Sequence, residues 1–175
     1  MNEVIKCLEE RRAIRSFKPD MPRKEDLEKI IEAGLYAPSG MGRQRVIILA
    51  ITDKQTRDKL SKLNRSFMGG MGGRDPFYGG PAVLVVLADK NFPTGIYDGS
   101  LVMGNMMNAA HSLGLGSIWI HRAKEEFEEP EYKELLRSLG VEGDWEGIGN
   151  CVVGYVEGEY PKPAPRREGR VYWIE

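Results

Sequence analysis

Two cysteines and two histidines are all that the 175 residues hold. Each scarcity closes off some chemistry. Cys7 falls on an apolar helix face and Cys151 in an apolar strand, which reads as two reduced, buried thiols of a cytoplasmic protein rather than a disulfide framework. No second Cys or His stands at metal-ligand spacing, so no metal site is expected. No apolar run nears 18 residues, so no membrane-spanning helix is expected. The first dozen residues mix acid and base too closely for a signal peptide. A net charge of -1 gives no global attraction to nucleic acid or an anionic membrane. The basic clusters also lack the interleaved aromatics of a nucleic-acid surface. No Ser-His-Asp, Cys-His or paired-carboxylate arrangement stands out. No side chain is therefore assigned a catalytic role, and the reaction chemistry points to a bound cofactor.

What the chain does have is arginine in clusters and 21 glycines, several in loops. Its length favours a single domain, 1–175, large enough to bury roughly 70% of its unfolded surface. Helices are expected over 3–12, from about Pro22 or Lys24 to Tyr36 (Leu27, Ile30, Ile31, Gly34 and Leu35 at helical spacing), from a cap at Asp53 or Thr56 to about Leu63, and from a cap at Asp98 to Gly114. One more begins at Pro130 and ends at Gly140. Strands are expected over 45–52, 81–88, 117–120 and 148–156. The helix after Asp98 is apolar nearly all round, so it is either central or faces a partner subunit. Residues 64–80 form a Gly-rich loop with Phe67, Phe77 and Tyr78 interleaved, long enough to be a functional, mobile segment. The arm 157–175 is extended by Pro161, Pro163 and Pro165. Helices and strands alternate, giving an α/β or α+β class with one mixed sheet.

Two segments carry the functional signal. Arg11, Arg12 and Arg15 crowd the end of the first helix. Planar guanidinium groups suit phosphate oxygens, although cations at a helix C-terminus also complement its dipole. Pro38-Ser39-Gly40-Met41-Gly42 can bring backbone amides against a flat ring system, or can simply stop a helix. Lys162, Arg166, Arg167 and Arg170 form a second basic set that is either solvated or turned to the same phosphate. Gly114-Leu115-Gly116 follows a helix and is no dinucleotide fingerprint. His111 suits a core or interface position, whereas His121, beside Arg122 at a strand end, is better placed for a ligand.

In order, Arg11-Arg12-Ala13-Ile14-Arg15-Ser16-Phe17, Ala37-Pro38-Ser39-Gly40-Met41-Gly42-Arg43-Gln44, Asp98, Gly114-Leu115-Gly116-Ser117-Ile118-Trp119-Ile120, Val153-Gly154-Tyr155 and Pro163-Ala164-Pro165-Arg166-Arg167 resemble the nitroreductase-like family of flavin mononucleotide (FMN) enzymes. The resemblance covers nearly the whole chain. It implies an α+β fold, a mixed sheet flanked by helices, in an intertwined homodimer with FMN at the interface. Arg11, Arg12, Ala13 and Arg15 would lie at the phosphate, joined by Arg166 or Arg167. Pro38, Ser39 and Gly40 would approach the flavin from the other subunit. Gly42 and Gln44 would contact its polar edge or ribityl chain, and Ile120, His121 and Arg122 would lie near the reactive ring nitrogen. Ala13 replaces the family's usual Ser, Gly42 its usual Asn, and Gln44-Arg45-Val46 its Gln-Pro-Trp. The implied activity is ping-pong reduction of nitroaromatics, quinones or similar flat small-molecule acceptors by NADH or NADPH, with residues 64–80 as a lid. A flavin-binding carrier or sensor, and a reductive dehalogenase of the same family, are the alternatives.

Overall fold

The computed structural model describes residues 2–69 and 73–175. Its elements in chain order are α1 (Glu3–Glu10), α2 (Lys24–Leu35), β1 (Val46–Ile51), α3 (Lys54–Ser66), β2 (Ala82–Asp89), α4 (Gly95–Ser112), β3 (Gly116–Ile120), α5 (Ala123–Glu128), α6 (Pro130–Ser138) and β4 (Trp145–Gly154). The fold is α+β. The strands lie in the order β1-β2-β4-β3, and every neighbouring pair is antiparallel. The parallel part of the expected mixed sheet is confined, among the described residues, to a bridge between Ala13 and Ser117.

Successive strand side chains point to opposite faces, and here both faces are covered. Leu84 and Val86 of β2 join Met103 and Met106 of α4, and Leu27 and Ile30 of α2, in one cluster. Val83, Val85 and Leu87 join Leu60 of α3, Phe127 of α5 and Tyr132 and Leu136 of α6 in the other. That double burial explains why 82–88 is a continuous apolar run rather than an alternating one. α4 is central, one of the two outcomes its apolar character allows, but it leaves Ile96, Tyr97 and Leu101 exposed.

Several elements differ from the sequence reading. α3 continues to Ser66, so the loop expected from 64 begins a turn later. α4 starts at Gly95 with Thr94 as its cap, and Asp98 is inside the first turn. α5 has no counterpart among the expected helices. It packs on β4 so closely that a Cβ at Gly147 would stand 2.0 Å from the Ala123 carbonyl oxygen and 2.8 Å from the Lys124 nitrogen. Those are backbone atoms, so no side chain fits at 147. The sheet register also slips beside it, between Val86 and Leu87, where Leu87 pairs with Gly147 and Val86 with Gly149.

Candidate flavin site

α1 ends at Arg11, whose backbone N–H donates to the Cys7 carbonyl. The chain then runs beside β3. Ala13 bridges Ser117, and the Ile14 N–H donates to the Ser117 carbonyl at 3.0 Å. Ile14 turns into the core and Arg15 is exposed. Among the described residues neither Arg11 nor Arg15 forms an ion pair. Arg12 is occupied differently. Its Nη1 donates to the Glu9 and Arg11 carbonyls, 2.7 Å each, which closes the end of α1. Its Nε is buried without a partner among the described residues.

The C-terminal arm leaves the sheet beside this segment. Phe17 bridges Val156, and the Glu157 N–H donates to the Ser16 carbonyl. The Tyr160 hydroxyl accepts from the Arg12 N–H at 3.0 Å and lies 3.0 Å from His111 Nδ1. Its own hydrogen is then free to go to Nδ1, an arrangement that suits the neutral Nε2–H tautomer of His111. Partial burial lowers the His111 pKa and favours that form. Farther out, Arg166 folds onto the Ala164 carbonyl, and Arg167 is exposed without an ion pair among the described residues.

The Pro38–Gln44 loop is built as a rigid turn. The Ser39 hydroxyl accepts from the Gln44 N–H at 3.1 Å. Met41, Gly42 and Gln44 all adopt left-handed backbone, at φ 51°, 63° and 52°. The Gly40 N–H donates to both oxygens of Asp98, at 3.0 and 3.1 Å, and Thr94 Oγ1 donates to the same carboxylate. A Cβ on Gly40 would sit 2.2 Å from Thr94 Oγ1. Asp98 therefore fastens the loop to α4 instead of capping the helix, the role its sequence position suggests. Pro38, Ser39 and Gln44 line a pocket of about 120 Å³ with Leu35, Val46 and Val102. Asp98→Ala should orphan the Gly40 N–H and cost about 1–2 kcal/mol. Asn, which keeps one acceptor, should cost less. Urea unfolding of the two variants checks this.

Ile120, His121 and Arg122 follow the end of β3. Arg122 is left-handed (φ 79°), and its guanidinium pairs with Glu125 at 2.7 Å. With Asn64 and Met68 these three line a cavity of about 270 Å³. Part of the expected lid is fixed rather than free. Asp75 accepts from Ser61 Oγ at 2.5 Å and from the Phe77 and Gly79 N–H groups, and pairs with Arg57. Burial pushes the Asp75 pKa up, but these bonds outweigh it and hold the carboxyl below its ordinary range. Phe77 is fully buried, with the Arg57 guanidinium 5.3 Å from its ring centre, so it is not free to stack on an acceptor. The lid residues Gly70, Met71 and Gly72 lie outside the described residues.

The fold thus gathers Arg11–Arg15, the root of the arm and Ile120–Arg122 along the β3 edge. Pro38–Gln44 precedes β1, the strand at the opposite edge of the sheet from β3, and is held against the first turn of α4.

The model of the nitroreductase family matches residues 8–71 and 69–155. The chain belongs to the nitroreductase family. It is 31% identical over 170 residues to the FMN reductase [NAD(P)H] of Bacillus subtilis, covering 81% of this chain and 66% of that protein. It is 24% identical over 186 residues to the iodotyrosine deiodinase of Thermotoga neapolitana, covering 96% of each. The solved nitroreductase from Bacteroides fragilis, with bound FMN, superposes over 100% of both chains with a TM-score of 0.90 at 26% identity. The family match spans the arginine segment, the Pro38–Gln44 loop and the Ile120–Arg122 turn, but stops before the arm. No helix among the described residues is long and apolar enough to cross a membrane.

Sequence reasoning missed Asn64, Glu126 and Asn150. They meet beneath the Ile120–Arg122 turn. Glu126 Oε1 accepts from Asn64 Nδ2 at 2.5 Å and Oε2 from Asn150 Nδ2 at 2.8 Å. Burial raises the Glu126 pKa to about 7, against the lowering effect of the two amides.

Proposed function

We propose that the chain is a cytoplasmic, FMN-dependent NAD(P)H oxidoreductase that reduces nitroaromatics, quinones or similar flat acceptors by a ping-pong scheme, as a homodimer. One observation carries the reading: two arginines without acidic partners among the described residues stand beside the strand that leads into the Ile120–Arg122 turn. The residues fit the cofactor. Arg11 and Arg15 offer planar donors, unpaired among the described residues, to a phosphate. Arg12 adds a buried Nε that has no partner among the described residues, a donor that an oxyanion would satisfy. Ser39, Gly40, Gly42 and Gln44 present a locked, left-handed turn to a flat ring. Arg166 or Arg167 reaches the phosphate from the arm.

FMN, when bound, supplies the two-electron redox chemistry between NAD(P)H and the acceptor. The chain's own part is positioning: the arginines neutralise charge, the Pro38 loop provides a dry face, and Ile120–Arg122 borders the acceptor side. The homodimer rests on the strand order, since a second copy can bring its Pro38–Gln44 loop to the β3 edge of the first. Exposed Val4, Ile5 and Leu8 on α1, and Tyr172, Trp173 and Ile174 on the arm, are apolar surface that such a partner would cover.

Anaerobic visible spectra of the purified protein, before and after NADH and then NADPH, test the reading. Flavin bands that bleach are expected. Bands that persist would leave a carrier or sensor, and a protein that takes up no FMN would overturn the site. The likeness to the Thermotoga neapolitana deiodinase supports a second reading, reductive dehalogenation. Release of halide from halogenated phenols by the reduced protein would favour it.

A further inference from the structure

Glu126 is fully buried, and no cation pairs with it among the described residues. It accepts one hydrogen bond from α3, through Asn64, and one from β4, through Asn150. Asn64 uses its amide nitrogen a second time and donates to the His121 carbonyl at 2.8 Å. The amide oxygens of Asn64 and Asn150 are buried and, among the described residues, unpartnered. A chain of contacts therefore leads from a core carboxyl through Asn64 to the backbone of the turn that lines the 270 Å³ cavity.

The two asparagines are not equivalent. Asn64 is locked, because its nitrogen faces two acceptors, and a half-turn would set Oδ1 against the His121 carbonyl. Asn150 makes a single side-chain hydrogen bond, to Glu126. A half-turn there offers Oδ1 to Glu126 with nothing else lost. Ionised, Glu126 accepts from both amides. Protonated, its O–H needs an acceptor, and Asn150 Oδ1 is available. A proton can thus be taken up in place, while the bond to Asn64 loses its charge assistance.

We propose that Glu126 is a proton-exchanging positioning residue: through Asn64 it sets the placement of the His121 carbonyl, and hence of Ile120 and Arg122 at the cavity. This rests on the reading of that cavity as the acceptor side of the site. A carboxyl that titrates at about 7 visits both forms near neutral pH. Few charges face it. Glu125, on the same helix, disfavours its ionisation and is itself paired with Arg122. Tyr132 of α6 stays protonated, its phenol pushed up to about 12 by burial, then by Glu131 and Glu126. Among the described residues, the groups of α3 and β4 that bear on Glu126 are the two neutral amides.

The test begins with the protein free of FMN. Its ¹⁵N spectra are followed from about pH 5 to about pH 9, a range that brackets the expected midpoint. The side-chain amides of Asn64 and Asn150 and the backbone amide of Arg122 should titrate with one midpoint near neutrality. Glu126→Gln, an isostere whose amide Asn150 can still meet, should abolish all three responses. An Arg122 amide that stays flat while the asparagines titrate would overturn the proposal, and so would the absence of any titration in the wild type. In the FMN-loaded enzyme, acceptor KM should change about threefold or more between about pH 6 and about pH 8, and be flat in Glu126→Gln. A wild-type KM that is equally flat also counts against it. Failure to bind FMN, by contrast, would strike the functional reading, while the amide titration would still decide for or against the relay.

Discussion

An Arg11→Ala, Arg15→Ala double variant should purify without yellow colour and bind FMN about 100-fold more weakly or worse. The magnitude follows from the chemistry of the contact. A charge-assisted hydrogen bond to phosphate contributes about 1.5–3 kcal/mol, so losing two costs about 3–6 kcal/mol, or roughly two to four decades in Kd. The fold should be little affected. Arg15 is exposed, and the structural bond at Arg11 comes from its backbone N–H, which alanine keeps. Fluorescence titration of the free protein with FMN measures the effect, with circular dichroism as the check on folding. A Kd within about threefold of wild type would sink the phosphate assignment. Arg12 is a poorer first choice for this experiment. Its guanidinium closes α1, so Arg12→Ala would mix a helix-end defect with any loss of binding.

The second large effect is on stability, and it has a sign fixed by burial. Glu126 titrates at about 7 in the fold against an ordinary 4.5. Its folded pKa is raised, so the contribution is fully present below about 4.5 and is lost as pH rises through about 7. Above that the folded chain holds a buried carboxylate with no cation partner among the described residues. The shift corresponds to about 3 kcal/mol. Glu126→Gln carries no charge at any pH. It should therefore match wild type at low pH and exceed it by about 3 kcal/mol at pH ~8, a gain of about 6–12 °C in Tm for a domain of this size. Urea melts across the pH range measure the difference. A stability difference that does not vary with pH would show that burial is not the source of the raised pKa. A residue that costs stability in its working form, beneath a candidate site, is the pattern expected where position serves function.

Most of the frame was legible in the sequence because it is written in periodicity. α2 shows apolar residues at helical spacing, and β1 and β2 are runs of β-branched residues bounded by turn signals. The arginine segment and the Pro38 loop were legible as motifs. What escaped was set by contacts far apart in the chain. α5 is six residues long, begins after a left-handed arginine and has no side-chain cap, so no start signal announces it. Glu126 stands in an acidic stretch, Lys124-Glu125-Glu126-Phe127-Glu128-Glu129, that reads as a solvated face. Only the fold turns that one glutamate inward, between Asn64 and Asn150. Asp98 carries a true signal with a wrong reading: an acid in a first helical turn suggests a cap, but here the carboxylate meets Gly40, 58 positions earlier. Phe77 looks like a stacking surface because aromatics in a Gly-rich loop so often are, yet Asp75 ties that end of the loop to α3 and buries the ring.

Gly147 shows how a site can depend on a residue with nothing to offer it. The missing side chain lets the first turn of α5 rest on β4, and that contact sets Glu126 opposite Asn150. Position 147 is closed to variation for reasons of space alone. An inactive variant there would look, in a survey of mutants, like the loss of a reacting group, though a glycine has no side chain with which to hold a proton or grip a ligand. The register of one strand is what would have been lost, and with it the address of an acid in the neighbouring helix.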